Sequence, residues 1–285
     1  MSAALACKHQ ETALSHARPS ESPPVDLSVV IPAFNEAAGI AETLRIVVGH
    51  LEGQSLQYEV LVVDDGSTDE TAAIAEACIG SFPALRVIRQ PRNLGKGAGV
   101  RRGMLEARGR CLFFMDADLA VPIDELTGAL AALLGGREAI LIGSRRSPGA
   151  RIERSQPWLR QKLGSCFTLL ARLLISPAIV DFTCGFKGFR RDEARMLFGL
   201  QQCTDWAFDA EILYLARLME MPVRQYPVRW SHQENSRVRF PRDIYRTIAA
   251  LIRIRWTVPR SVKCRREVHA APAAYRAHTI DGRRD

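Results

Sequence analysis

The sequence predicts an α/β domain with a mostly parallel sheet covered by helices on both faces. Three observations carry that expectation. Short apolar runs of strand length alternate with stretches of helix length through the first half of the chain, the pattern of strand–helix–strand units. The run Cys111-Leu112-Phe113-Phe114-Met115 is apolar throughout, as a strand in a sheet interior is. A chain of 285 residues that is 47% hydrophobic is long enough for one sizeable core with at most a small appendage.

Residues 1–25 carry Ser, Pro, Glu and His and lack an apolar signal-peptide core, so they read as a disordered leader. Leu27 to Pro32 is the first strand, with Pro32 as its stop, and Asn35-Glu36 opens a helical pattern to about Leu51. Tyr58 to Asp65 is a second strand ending in acids. Gly66-Ser67 turns the chain, and Ser67-Thr68-Asp69-Glu70 offers caps for a helix to about Cys78. Leu85 to Arg89 is a third strand, followed by a Gly-rich turn and a helix from about Gly95 to Arg108. The fourth strand runs into Asp116. A helix follows from Pro122, a favourable first helical residue, to Leu134, and Glu138 to Gly143 is the fifth strand.

Ligands of parallel α/β sheets bind beyond the carboxyl ends of the strands. Pro32–Glu36, Asp64–Asp65, Asn93–Gly97, Asp116–Asp118 and Ser144–Arg146 all lie just past expected strands or at strand–helix turns, so they are expected to gather on one edge. Alternate residues of an extended chain point the same way, so Asp116 and Asp118 can share one ion. Burying two unpaired acids would be costly, whereas at a strand end a divalent cation and water reach them. Mg2+ is held by one or two carboxylates with substrate phosphates completing its shell. The pair therefore reads as a metal site facing a diphosphate; the alternative is an acidic strand end with a solvated loop. Gly95-Lys96-Gly97-Ala98-Gly99 is no dinucleotide fingerprint, because Val100 stands where the third glycine belongs. It is no Walker A loop either, because no Ser or Thr follows Gly-Lys. It reads as a helix start with free N–H groups and one lysine, suited to a phosphate or carboxylate, or else as a plain Gly-rich turn.

A net charge of +8 and a pI near 9.4 favour anionic partners. Nucleic acid is not expected, since the positive charge lies in tails and helix faces without a recognition module. Seven scattered cysteines, with no CxxC, argue for reduced thiols in a cytosolic setting and against structural zinc. No run approaches the roughly 18 apolar residues of a spanning helix. Pro157 to Ile175 is apolar at 159, 163, 166, 167, 170 and 174, with Arg160, Lys162 and Arg172 off that stripe. In Arg242 to Trp256, Ile244, Ile248, Leu251 and Ile252 share a side opposite Arg242, Arg246 and Arg253. Such helices lie on a lipid interface or pack on a core with a basic side in water. The expected location is cytoplasmic and peripheral to a membrane. Residues 26–256 form the folded domain and 257–285 a basic, flexible tail.

Pro32-Ala33-Phe34-Asn35-Glu36, Val63-Asp64-Asp65-Gly66-Ser67-Thr68-Asp69, Asn93-Leu94-Gly95-Lys96-Gly97 and Asp116-Ala117-Asp118, in this order and spacing, resemble the inverting glycosyltransferases of family 2. The resemblance implies the GT-A fold, a Rossmann-like, mostly parallel sheet with helices on both faces. Asp181-Phe182-Thr183-Cys184-Gly185-Phe186-Lys187 and Trp206-Ala207-Phe208-Asp209-Ala210-Glu211 look like the branch that charges polyprenyl or dolichyl phosphates with a sugar. Ala120, where mannosyl members usually have Gln, favours the glucosyl members.

The resemblance implies transfer of a hexose, glucose from UDP-glucose first, to a polyprenyl phosphate with the help of Mg2+ or Mn2+. Pro32, Phe34 and Glu36 would line the nucleoside pocket. Asp65 would accept a base N–H and Asp64 hold the turn, or the two roles are exchanged. Asp116, Ala117 and Lys96 would meet the nucleotide sugar, and Asp116 with Asp118 would bind ribose and metal. Arg145, Lys187, Ser236 and Arg237 would meet the acceptor phosphate. A phosphomonoester is largely dianionic at neutral pH, its second pKa being about 6, and attacks without a base. Asp181 and Asp209 are then orienters, or bases if the acceptor is a hydroxyl of a soluble or polysaccharide substrate. A nucleotide-sugar-binding protein without turnover is the non-enzyme alternative.

Overall fold

The computed structural model describes residues 25–233 and 248–259. The expected leader over 1–24, the first residues of the second amphipathic stretch, and the tail beyond 259 lie outside the described residues, as do the side chains of Leu159 and Arg160. The first half alternates without exception: β1 (Leu27–Ala33), α1 (Ile40–Glu52), β2 (Tyr58–Asp64), α2 (Thr71–Ala77), β3 (Leu85–Arg89), α3 (Lys96–Glu106), β4 (Cys111–Met115), α4 (Glu125–Gly135) and β5 (Ile140–Ser144). Next come β6 (Arg151–Arg154), α5 (Trp158–Leu174), β7 (Phe186–Arg190), α6 (Arg191–Leu200), α7 (Phe208–Leu218), β8 (Val223–Pro227) and β9 (Arg229–Ser231). The last described helix, α8, covers 248–259.

Seven strands form one sheet in the order β3-β2-β1-β4-β7-β5-β8, and β6 pairs with β9 in a small separate ribbon. Neighbours are parallel except at β7, which runs antiparallel between β4 and β5. Both faces are buried. Val30, Leu61, Val63, Leu112 and Phe114 pack on one side with α3, α6, α7 and α8. Val29, Ile31, Val60, Val62 and Phe113 pack on the other with α1 and α4. Odd and even residues of one strand thus feed two cores, as a two-sided sheet demands.

Pro32 does not stop the first strand. It pairs in register with Val63 and the strand continues to Ala33. It sits past the last rung β1 shares with β4, Val30 with Phe114, where a missing N–H is tolerated. The other departure is β7, a strand that no periodicity announced. Because it is antiparallel, its first residue, Phe186, lies opposite Met115, the last residue of β4. The segment 181–185 is thereby delivered to the same rim as the ends of the parallel strands.

The two basic helices follow the expected stripes in part. In α5, Phe167, Leu170 and Leu174 of the stripe pack against the core beside buried Thr168 and Ala171, with Ile175 buried just past the helix; Cys166 of the stripe is exposed, and Trp158, Leu169 and Leu173 face outward with Lys162 and Arg172. In α8, Leu251 is fully buried beside Ala250, Ile254 and Val258. Its side of the helix is core, and the exposed apolar residues are Ile252 and Trp256. Arg255 donates through Nη1 to the Tyr214 hydroxyl at 2.9 Å. Helix extends through 257–259, so the expected tail begins too early at its first three residues. Among the described residues no helix is long and apolar enough to cross a membrane.

Candidate active site

The ends of β1, β2, β3, β4 and β5 share one rim, and the polar clusters that follow them meet there. At one end of the rim is a cleft of about 650 Å³ whose wall includes Phe34, Asp64, Ser67, Thr68, Gln90 and Arg92. Pro32 and Glu36 do not line it; Pro32 stays in β1, and the Glu36 backbone N–H donates to Thr71 Oγ1 at 2.7 Å. The two neighbouring acids have separate tasks, and these reverse the first expectation. Asp65 accepts from Gln90 Nε2 at 2.6 Å, Leu94 N at 2.8 Å and Gly95 N at 2.8 Å, which uses both oxygens to hold the loop entering α3. Burial pushes its carboxyl up despite those three bonds, and the Asp64 charge adds to the rise. Asp64 accepts only from Ser67 N, at 3.3 Å through Oδ2. Its Oδ1 is buried in the cleft wall without a partner, a costly condition unless a ligand donor completes it.

At the centre of the rim, Lys96 Nζ donates to Asp116 Oδ1 at 2.5 Å. Burial lowers the lysine pKa, but the charges of Asp116 and Asp209 outweigh it and hold it above the usual value, so Lys96 is a cation. Gly185 makes room for Asp116: its carbonyl accepts the Asp116 N–H at 3.2 Å, and a Cβ there would overlap the Asp116 carboxylate. Asp118 Oδ1 accepts from Ala120 N at 3.1 Å. The intervening Leu119 has φ +48°, an uncommon conformation for leucine that turns the chain back. Desolvation and then the Asp116 charge push the Asp118 carboxyl up, the signature of two acids crowded together. Hard carboxylate oxygens, a like-charge pair and a space reserved by Gly185 fit a divalent cation completed by phosphate oxygens. No group of three metal-binding side chains exists among the described residues.

The sequence of glycines before α3 has a use other than a phosphate cradle. Gly95 adopts φ +100°, and Ala98 N donates to Thr204 O at 3.2 Å as well as to Gly95 O at 2.9 Å. The helix start is covered by the 203–206 loop; only the Lys96 ammonium reaches the rim.

On the far side of Asp116, Arg145 is held by a bidentate pair with Asp181, Nε to Oδ2 at 2.8 Å and Nη2 to Oδ1 at 2.7 Å. Its backbone N–H also donates to Asp181, Nη2 donates to Thr183 Oγ1 at 2.9 Å, and its guanidinium lies 5.4 Å from the Trp230 ring centroid. Burial pushes the Asp181 carboxyl up, but the Arg145 charge and hydrogen bonds prevail and hold it below the usual range. Lys187 corrects an expectation. It is fully buried, and its ammonium donates to Phe182 O at 3.0 Å, Cys184 O at 2.6 Å and Asp209 Oδ1 at 2.6 Å. With all three protons placed it cannot meet an acceptor phosphate; it fixes the loop that carries Asp181, Thr183 and Gly185. Burial pushes the Asp209 carboxyl up even against Lys187 and Lys96.

The rim therefore gathers Phe34, Asp64, Lys96, Asp116, Asp118, Arg145 and Asp181. Ala117 stays behind it, its carbonyl accepting from Thr43 Oγ1 at 2.6 Å. Ser236 and Arg237 lie outside the described residues. Gln90 and Trp230 were not singled out beforehand, and Thr183 and Gly185 entered only as members of the Asp181–Lys187 motif without a role of their own.

A family model described as "Glycosyl transferase family 2" matches residues 28–198. Among curated proteins, a dolichyl-phosphate beta-glucosyltransferase of Drosophila melanogaster is 38% identical over 230 residues, 76% of this chain and 71% of that one. One of Trichomonas vaginalis is 36% identical over 78% of this chain and 67% of its own, and the Homo sapiens protein is 32% identical over 76% and 71%. Among solved structures, glucosyl-3-phosphoglycerate synthase from Mycobacterium tuberculosis with Mn2+, UDP-glucose and phosphoglyceric acid superposes with TM-score 0.60 at 19% identity, covering 81% of this chain and 79% of that one. Mannosyl-3-phosphoglycerate synthase from Rubrobacter xylanophilus does so with TM-score 0.61 at 20% identity, over 87% and 77%. The architecture is the GT-A fold.

Proposed function

This chain belongs to glycosyl transferase family 2, and from that premise we propose that it transfers glucose from UDP-glucose to a polyprenyl phosphate of the dolichyl kind, with inversion. The observation that carries the acceptor class is the commitment of the two base candidates. Asp181 is buried with both oxygens on Arg145, and Asp209 is buried with Oδ1 on Lys187, which disfavours either as the base for a hydroxyl. An acceptor that arrives as a phosphate dianion needs no base. It needs cations, and Arg145 is presented on the rim with Nη2 and Nε already locked so that little side-chain entropy is lost on binding. Arg146 stands beside it, its Nη2 3.3 Å from Ser165 Oγ of α5.

The uracil ring occupies the 650 Å³ cleft, where the unpartnered Asp64 Oδ1 accepts its N3–H. Asp116 and Asp118 would hold a Mg2+ or Mn2+ ion, which would supply Lewis-acid stabilisation of the departing diphosphate. Lys96 adds a fixed positive charge at the same place. The lipid phosphate oxygen forms its bond to the anomeric carbon on the side opposite UDP, and the electrons of the breaking carbon–oxygen bond leave on the β-phosphate. Asp64→Asn leaves one acceptor oxygen where Ser67 N and that N–H need two, and sets an NH2 donor against one of them. UDP affinity is expected to fall roughly 10- to 100-fold, read by calorimetric titration with Mn2+ present; unchanged affinity would place the base elsewhere.

The outward residues Trp158, Leu169 and Leu173 of α5, with Lys162 and Arg172 among them, support seating on an anionic lipid surface. Leu169 and Leu173 changed together to Asp are expected to reduce flotation with anionic vesicles severalfold while melting temperature stays near that of the parent. Leu251→Asp, in contrast, is expected to unfold the domain, because its target is core.

Several nucleotide sugars offered with dolichyl phosphate or with soluble sugar acceptors decide the substrate class. Radiolabel from UDP-glucose entering the organic phase is the expected result. Label appearing only on water-soluble acceptors would transfer the role of base to Asp209, and binding without any transfer would make this a sensor.

A further inference from the structure

Trp206 is 44% exposed in a loop that is otherwise fixed on every side. Glu211 accepts from Gln202 N at 3.0 Å and Cys203 N at 2.7 Å. Gln201 Nε2 donates to Cys203 O at 2.6 Å and to Gly97 O at 2.9 Å, and Asp205 Oδ1 accepts from Ala207 N at 2.9 Å. The loop lies directly on α3. A Cβ at Gly97 would come within 2.8 Å of Cys203 O and 2.9 Å of Asp205 O. Cys203 and Ala207, on either side of the indole, are buried in the core, so the half-open ring is carried on a rigid backbone.

The indole stands beside the ammonium at the centre of the rim. Lys96 Nζ lies 5.0 Å from its ring centroid and at the same time bonds Asp116. One face of the ring is thus met by the ammonium assigned to the diphosphate site, and 44% of the residue stays open to solvent next to it. A hexose attached to a β-phosphate presents C–H groups there, and an aromatic face held rigid is complementary to them. We propose that Trp206 is the platform on which the hexose ring of the donor stacks, so that it recognises the sugar and not the nucleotide. This rests on the reading of the rim as a hexosyl-transfer site.

Calorimetric titration of UDP-glucose and of UDP into wild type, Trp206→Ala and Trp206→Phe, with Mn2+ present, tests it. Trp206→Ala is expected to weaken UDP-glucose about tenfold while UDP binding changes less than about twofold, and Trp206→Phe is expected to recover most of the loss. An equal loss for both ligands, no loss for either, or no recovery with Phe would overturn the assignment. If wild type binds neither ligand, the hexosyl-transfer reading itself fails; wild-type binding with an indifferent Trp206→Ala removes only the platform.

Discussion

Asp118→Ala is expected to lower glucosyl transfer by at least roughly 10³-fold while leaving the fold intact. The side chain is exposed at the rim and makes one hydrogen bond, to Ala120 N, so its loss costs stability only about as much as one ordinary hydrogen bond, ~1 kcal/mol. For catalysis the loss is of another order. The departing diphosphate depends on charge stabilisation in a place that is partly shielded from water, where fixed charges act strongly. Lys96 and Asp116 remain, so residual transfer is expected to become insensitive to added Mg2+ or Mn2+. Rates measured across a metal titration, with melting curves as a control, check this. A variant that still responds to metal as the parent does would move the ion away from Asp118.

Gly185→Ala is expected to be nearly as damaging, though no chemistry resides in a glycine. The added methyl would overlap the Asp116 carboxylate, which cannot stay where it meets Lys96. Displacing a reacting-centre group by about 1 Å commonly costs ~10²-fold, and we expect kcat to fall by that factor or more. Because β7 begins at the next residue, melting temperature is expected to fall too. Crystals of Gly185→Ala, or failing those the kcat of Gly185→Ser, distinguish displacement from unfolding. Overlap predicts that the larger Ser is no better than Ala, and a fully active Ser variant would contradict it.

Much of this site was legible because it rests on strand ends. A parallel strand's carboxyl end is fixed by where its apolar run stops, so Asp64, Asp116 and Arg145 could be placed on one rim from the sequence alone. What could not be read were contacts made by groups that look alike in a sequence. Asp64 and Asp65 are adjacent acids, and only the fold shows that the backbone of Leu94 and Gly95 claims the second. Lys187 resembles a phosphate ligand until β7 is seen to carry it into the interior between two carbonyls and Asp209. Phe186-Lys187-Gly188-Phe189-Arg190 mixes a charge and a glycine with its aromatics, so no strand period stands out. The stripe in α8 fits core and lipid alike in the sequence for a related reason. Its Leu251 and Ile252 are neighbours in sequence, yet one is sealed in the core and the other is 48% exposed. Periodicity marks an apolar side but does not say whether protein or lipid covers it.

Everything proposed for the rim requires that an ion held by its aspartates join the protein to a nucleoside diphosphate. Titration of UDP into wild type and Asp118→Ala, each with Mn2+ and again with the metal chelated, tests it most directly. Chelation is expected to weaken UDP at least about tenfold in wild type and to change little in Asp118→Ala. Equal UDP affinity in wild type with and without the metal would contradict the claim.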